Sequence, residues 1–269
     1  MDLERLSLNI ATTEPYSLQQ AVVACEKMEI PWIGPWRHKV AKTGLRESAQ
    51  IIRSHGLKVS SLCRGGMFAA PTQTERLVRL DDNRRAIEEA AALSTDVLVL
   101  VCGPPNGCAL DDARKMVEEG IATLIPFASE HGVKLGIEPL HPVFAADRSV
   151  IVTLGQANDI VNRLQSPQVG VVIDVYHVWW DPLLYTEIRR AEGHILGFHV
   201  NDWILPLRDS LTSRGMMGEG FIEISRIRTS VESSGYQGPI EVEIMNEELW
   251  SRSCQDIVQL SKQNFLQYV

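Results

Sequence analysis

Two stretches decide the fold: DVLVLVCG at residues 96–103 and VGVVIDVYH at residues 169–177. Each is a nearly unbroken run of aliphatic and β-branched residues, without the alternation of a strand that keeps one wet face. Runs of this kind mark parallel strands covered on both sides. Working outward, β-rich runs recur at 6–11, 32–36, 58–63, 96–102, 134–139, 169–176, 195–200 and 239–244, eight in all. Segments of helical period lie between them. Leu18, Ala21, Val22, Cys25 and Met28 fall on one helical face, and Ser17 with Gln20 reads as a capping box at its start. Thr153 and Gln156 repeat the device before Ala157, Ile160, Val161 and Leu164, and Pro167 closes that helix. Pro126 predicts a kink or break in its helix, and one amphipathic helix is expected from about 247 to 268.

Eight strand–helix units with no linker or low-complexity stretch predict a single (β/α)8 TIM barrel over 1–269. The rival, a doubly wound open sheet, usually carries G-x-G-x-x-G after an early strand, and this chain has none. Composition agrees with one domain: 269 residues, 45% hydrophobic and 22% charged, supply a sizeable core. The net charge of −8 argues against a nucleic-acid or anionic-membrane surface, both of which need clustered Lys and Arg. No apolar run approaches the ~20 residues of a bilayer span. The first residues, MDLERLSLNI, lack the apolar core of a signal peptide, so a cytoplasmic location is expected. Cys25, Cys63, Cys102, Cys108 and Cys254 are scattered, with no C-x-x-C pair, and read as small core residues rather than a zinc site or disulfide framework.

In a barrel of this type chemistry sits at the C-terminal ends of the strands and in the loops that follow. Four consecutive strands end in metal-ligand types. The fifth, KLGIEPLHP, places Glu138 at the rim with His141 beyond, and the sixth offers Asp174 followed by His177. The seventh, ILGFHVNDW, carries His199 and then Asp202, and the eighth, GPIEVEI, carries Glu241 and Glu243. The last two share a face, and only the higher, Glu243, is well placed for a rim site. Carboxylates in such apolar runs are desolvated at a cost of several kcal/mol unless they are paired or bind a cation. One reading makes each half of a buried ion pair, for example Glu138 with Lys134 or Arg148. The other neutralises all four with one divalent ion. Three carboxylates and one imidazole favour Mn²⁺ or Mg²⁺ and admit Co²⁺ or Zn²⁺.

Through I-E-P-L-H-P, D-x-Y-H, H-V-N-D-W, G-E-G and E-V-E-I, the chain resembles the sugar isomerase and epimerase family of xylose-isomerase-like TIM barrels. Ketose 3-epimerases, inosose dehydratases and hydroxypyruvate isomerase are among its members. The resemblance covers essentially the whole chain. It implies that Glu138, Asp174, His199 and Glu243 bind one divalent metal, with Glu138 and Glu243 as acid/base groups on opposite sides of the substrate carbon. It further implies that His177 contacts substrate oxygens, as does an Arg after strand seven, for which Arg214 is the best match and Arg208 the second. The implied reaction is proton abstraction next to a carbonyl through a metal-stabilised enediolate, giving isomerisation or epimerisation of a keto-sugar. L-H-P stands where ketose 3-epimerases usually have L-N-R, and W-W-D-P follows His177, so a dehydratase or keto-glycoside lyase is the alternative. An endonuclease IV-like nuclease would need more ligands and a basic face, and a non-catalytic binding barrel would predict an incomplete metal site. The implied partner is a small carbohydrate. Homo-oligomers, dimers or tetramers, are common in the family, and the sequence leaves that open.

Several further residues are expected around the substrate. Trp36 and Trp179, with Trp180, offer faces that stack on sugar C–H surfaces, and His141 is a second contact. Arg64 and Arg148 could hold an anionic or polyhydroxylated ligand, or form rim salt bridges. The glycines of 215–220 precede a helix, where backbone N–H groups could hold an anion, although a tight turn fits equally.

Overall fold

All eight β-rich runs enter one parallel sheet that closes on itself in the computed structural model, which describes residues 3–269. In chain order the strands are β1 (Leu6–Asn9), β2 (Trp32–Gly34), β3 (Lys58–Val59), β4 (Leu62–Gly66), β5 (Val97–Val101), β6 (Lys134–Glu138), β7 (Val169–Asp174), β8 (Ile195–Val200), β9 (Asp202–Trp203), β10 (Arg214–Gly215) and β11 (Ile240–Val242). Nine of them form the barrel in the order β3-β2-β1-β11-β8-β7-β6-β5-β4, while β9 and β10 pair antiparallel in the excursion after β8. The ninth strand arises because the third run is interrupted at Ser60 and Ser61. Its first piece pairs with β2 and its second with β5. Cys63 N–H donates to the Pro35 carbonyl at 3.0 Å, and Trp36 bridges to Cys63, which closes the seam between the pieces.

Around the barrel lie α1 (Leu18–Lys27), α2 (Arg37–Thr43), α3 (Leu45–Ser54), α4 (Gln73–Ala92), α5 (Leu110–Glu130), α6 (Leu154–Leu164), α7 (Val175–Val178), α8 (Leu184–Arg190), α9 (Ile224–Ser233), α10 (Glu247–Trp250) and α11 (Cys254–Tyr268). The capping box of α1 forms as the sequence predicts, and Leu18, Ala21, Val22 and Cys25 are buried. At α6 the device is altered. Thr153 accepts from Gln156 N–H, but the Gln156 side chain accepts from Val152 N–H, one residue before the cap. Pro126 breaks nothing: α5 runs through it for 21 residues. Ala122 and Pro126 both lie on the exposed face, where solvent can satisfy the carbonyl that loses its partner. The single helix expected from 247 to 268 is two, because Ser253 caps a new start at Asp256 N–H. None of the described helices is long and apolar enough to cross a membrane. All five cysteines are free thiols, four of them buried.

The main core lies between the strands and the helices, and all five residues of β5 are buried. Inside the barrel a small plug of Cys63, Val99 and Val172, with Trp36 against it, fills the lumen beneath the rim. Gly136 and Gly197 make room for Val172, since a Cβ at either would stand 2.7 or 3.2 Å from its methyl groups. The second piece of the interrupted strand is tied to α4 by one side chain. Asn83, fully buried, accepts from Gly66 N–H at 2.6 Å and donates to the Gly66 carbonyl at 2.8 Å. Asn83→Ala leaves both Gly66 groups unmatched in the interior. At ~1–3 kcal/mol for each of the two orphaned groups, the expected loss is about 2–6 kcal/mol in urea unfolding, with little change in the slope.

Candidate metal centre and active site

Glu138 is the last residue of β6, Asp174 the last of β7, His199 the fifth of β8, and Glu243 follows β11 directly. Parallel register brings these strand ends to one height, and one ligand atom from each of the four lies within 4.8 Å of the others. All four side chains are buried. His199 Nδ1 stands 3.5 Å from both Glu138 Oε1 and Glu243 Oε2. Glu138 Oε1 and both ring nitrogens of His199 have no hydrogen-bond partner. Buried polar atoms are almost always paired, so converging orphaned donors of these types fit a divalent cation.

The ion-pair reading is met at one point. Glu138 pairs with neither of its expected cations, because Lys134 goes to Asp96 and Arg148 to Asp147. Arg214, only 2% exposed, instead bridges the other two carboxylates, with Nη1 2.7 Å from Asp174 Oδ2 and 3.0 Å from Glu243 Oε2. Its guanidinium also lies over the Tyr176 ring, 4.6 Å from the centroid. Asp174 Oδ1 accepts from Tyr176 N–H and Asn201 Nδ2, both at 2.9 Å. Burial pushes the Asp174 carboxyl up, but Arg214, His177 and His199 overcome it and hold the group below the usual carboxylate range. Glu138 lacks such support, and burial pushes it up to about 7, with His199 opposing and the Glu243 charge reinforcing. Two carboxylates in one site are thereby driven in opposite directions: Asp174 is held ionised, while Glu138 is poised to exchange a proton near neutrality.

A layer below the rim, Glu241 holds His199 in place. Its Oε1 lies 3.7 Å from His199 Nε2 and accepts from Ser61 Oγ at 2.6 Å, while Oε2 accepts from Asn9 Nδ2 at 3.1 Å. Asn9 in turn accepts from Trp36 Nε1 at 2.7 Å. Gly34 is required beneath it, because a Cβ there would stand 2.1 Å from Glu241 Oε2. Sequence reading places Glu241 on the right face but gives it no task. The inward i, i+2 spacing below a ligand was the available signal.

Above the four donors opens a cavity of about 190 Å³ whose walls include Trp36, Arg64, Phe144, Arg148, His177 and Arg214. Burial lowers His177 to about 3, so its ring is neutral. Nδ1 accepts from His141 N–H at 3.1 Å, which leaves the ring proton on Nε2. That N–H lies 3.3 Å from Arg214 Nη2, a second donor, and 3.6 Å from Asp174 Oδ2, and Arg214 Nε has no partner. The other expected contacts sit elsewhere. His141 acts through its backbone, its ring stacked on Trp203 at 5.0 Å. Trp179 is tilted against Trp203 outside the cavity wall, and Trp180 donates Nε1 to the His177 carbonyl at 2.8 Å. Arg208 is exposed and paired with Glu248, away from the cavity. The glycine-rich turn at 215–220 does hold an anion, and it is the chain's own Asp202: Gly218, Gly220 and Ile222 N–H donate to its carboxylate at 2.8–3.0 Å.

The xylose isomerase-like TIM barrel description matches residues 21–261. The chain belongs to that family. A solved structure of protein SMc04130 from Sinorhizobium meliloti 1021 is 47% identical, superimposes with a TM-score of 0.96, and is matched over 99% of this chain and 98% of that one. An inosose isomerase of Bacillus velezensis is 23% identical over 272 residues, 96% of this chain and 95% of its own. A 3-dehydroshikimate dehydratase of Pseudomonas putida is 28% identical over 179 residues, 62% of this chain, and the match spans only 26% of that longer protein. Curated relatives within this xylose isomerase-like group are thus enzymes of isomerase, epimerase and dehydratase type.

Two outcomes follow for a centre of this family built on these residues. A bound cation must displace the proton from Glu138, whose carboxyl stands at about 7. Burial lowers His199, but Glu241, Glu138 and Glu243 outweigh it and hold its ring proton well above the usual range, so that proton must leave too. Apparent metal affinity, measured by calorimetry, therefore rises with pH by more than about tenfold per unit below 7 and keeps rising above 7 as His199 gives up its proton. Glu241→Gln removes the charge that orients His199 from below. It should weaken metal binding by about 10–100-fold while leaving the barrel folded.

Proposed function

We propose that the chain is a divalent-metal-dependent enzyme acting on a small carbonyl sugar or cyclic polyol ketone, as an isomerase or epimerase. The observation that carries this is the convergence of Glu138 and Glu243 on His199 Nδ1, each at 3.5 Å, at the floor of a cavity of about 190 Å³. Glu138, Asp174, His199 and Glu243 would hold the ion, and the oxygen-rich set favours Mn²⁺, with Mg²⁺, Co²⁺ and Zn²⁺ as alternatives. When bound there, a divalent ion supplies Lewis-acid polarisation of the substrate carbonyl.

The chain's own residues do the rest. A carboxyl at about 7 gives and takes a proton near neutral pH with little driving force lost, which suits Glu138 to work at the carbon next to the carbonyl. Glu243, which follows β11 while Glu138 ends β6, serves the opposite face of that carbon. Return of the proton to the same carbon inverts it, and delivery to its neighbour moves the carbonyl. His177 Nε2–H and Arg214 Nη2–H, which stand 3.3 Å apart on the cavity wall, take one substrate oxygen and fix its orientation. Trp36 closes one wall.

A second reading shares the first half of this chemistry. The dehydratase relative, and the Leu140–His141–Pro142 segment after Glu138, favour loss of a β-hydroxyl in place of reprotonation. Incubation of the Mn²⁺-loaded protein in D₂O with ketoses, aldoses, inososes and keto-glycosides separates them. Deuterium should appear at a carbon next to a carbonyl, and the product identifies isomerase, epimerase or dehydratase. Glu138→Gln and Glu243→Gln should each slow that exchange by about 10²–10⁴-fold. Exchange unaffected in both variants would sink the proposal.

A further inference from the structure

Asn201, fully buried, follows β8 directly and shares the inward face of that strand with His199, while Phe198 and Val200 turn outward into the main core. Its Nδ2 donates to Asp174 Oδ1 at 2.9 Å and to the Glu243 carbonyl at 3.1 Å. One amide thus ties together the ligand-bearing ends of β7 and β11, the two strands that flank β8. Both of its partners are acceptors, which fixes the NH₂ group towards them. The amide oxygen is then left with no partner among the described residues. A buried acceptor without a donor is costly, and an apolar residue of the same volume would avoid the cost. Folding alone gives no reason for an amide at this point, but its two donated bonds do.

A carboxylate offers about four lone-pair positions. On Asp174 Oδ1 both are taken, by Asn201 and by Tyr176 N–H at 2.9 Å, and on Oδ2 one is taken by Arg214 Nη1 at 2.7 Å. His177 Nε2 stands farther from Oδ2, at 3.6 Å. One position, on Oδ2, remains for a cation. The Tyr176 bond comes from the backbone, so the side chain that decides the matter is that of Asn201. Resting on the metal centre proposed above, we infer that Asn201 is a positioning residue that holds Asp174 to ligation through one oxygen and so sets which divalent ion the centre prefers. Without the amide, Oδ1 regains a lone pair, and Asp174 can grip the ion through both oxygens. That extra donor suits Mn²⁺, which accepts about six ligands, and is of less use to Zn²⁺, which settles at about four.

The test is calorimetric titration of the wild type, Asn201→Leu and Asn201→Ala with Mn²⁺ and with Zn²⁺ at one pH. Leu keeps the volume of Asn, and Ala is the second variant should the branched side chain unfold the barrel. A merely structural role would weaken both ions alike, whereas lost positioning should lower the ratio of Zn²⁺ to Mn²⁺ affinity by about tenfold. Water-proton relaxation of the Mn²⁺-loaded variants should show about one bound water fewer than the wild type, displaced by Asp174 Oδ1. Ser61→Ala loses a bond to Glu241 behind His199 but frees no oxygen of Asp174, so it should leave the ratio unchanged. An unchanged ratio with unchanged hydration in both Asn201 variants would overturn the inference, as would an equal fall of the ratio in Ser61→Ala. A wild type that binds neither ion would overturn it together with the proposed centre. If the ratio shifts as expected while no sugar takes up deuterium, the proposed reaction falls and the assignment of Asn201 stands. Normal deuterium exchange by the wild type with an unaltered ratio in the variants means the reverse.

Discussion

The charge on three buried carboxylates is the constraint on which this barrel's upper half is built. Glu138, Asp174 and Glu243 end strands whose other residues are apolar, and each would be strongly destabilising if ionised alone. The chain meets this unevenly. Asp174 receives a guanidinium, a backbone N–H and an amide, and stays ionised, while Glu138 receives none of these and sits near neutral pH. The unevenness is useful. A site in which every acid was satisfied would bind nothing further, and one in which none was satisfied would fill with protons. Glu138 Oε1 and His199 Nδ1 face each other at 3.5 Å without a hydrogen bond, while Asp174 is anchored, so donors for a cation converge in a frame that is already rigid.

That rigidity comes from the layer beneath. Glu241 reaches His199 from below, Ser61 and Asn9 donate to Glu241, and Trp36 donates to Asn9, so side chains from four parts of the barrel converge on the orientation of one imidazole. The interruption of the third run at Ser60 and Ser61 is part of the same arrangement. It frees Ser61 to point at Glu241, and the barrel is closed there by the Cys63–Pro35 hydrogen bond in place of continuous pairing. The absence of a side chain at Gly34 is a further term, since any Cβ would occupy the place of the Glu241 carboxylate.

Strands that are buried on both faces write themselves plainly in a sequence, which is why all eight runs were legible and why their ends pointed to the four donors. What stayed illegible depends either on fine local detail or on long-range pairing. The split of the last helix at Ser253 and the passage of α5 through Pro126 turn on local capping and on which face is wet. Arg214 and Arg208 are alike in sequence position, and only the β9–β10 pairing decides that the first is buried over Asp174 while the second reaches Glu248 at the surface. His141 and Trp179 have the right chemistry for a ligand, yet tertiary packing against Trp203 turns both rings away from the cavity. Glycines at 215–220 signalled an anion, and nothing in their spacing could show that Asp202 supplies it.

Asp202 also explains how the excursion after β8 and the charge of the site are one problem. A loop of this length closes at modest entropic cost only if its ends are fixed, and here both are. Asp202 gathers the N–H groups of Gly218, Gly220 and Ile222 at one end, while Arg214 N–H donates to the Met245 carbonyl and Asn246 Nδ2 donates to the Arg214 carbonyl at the other. Between these fastenings the chain carries a guanidinium from outside the barrel to a point 2.7 Å from Asp174. Without the fastened loop the two carboxylates lose their cation, and without the carboxylates a buried guanidinium has nothing to hold it inside. Order in the loop and ionisation in the site therefore stabilise each other, and a group entering the cavity beside Arg214 meets a donor that is already in position.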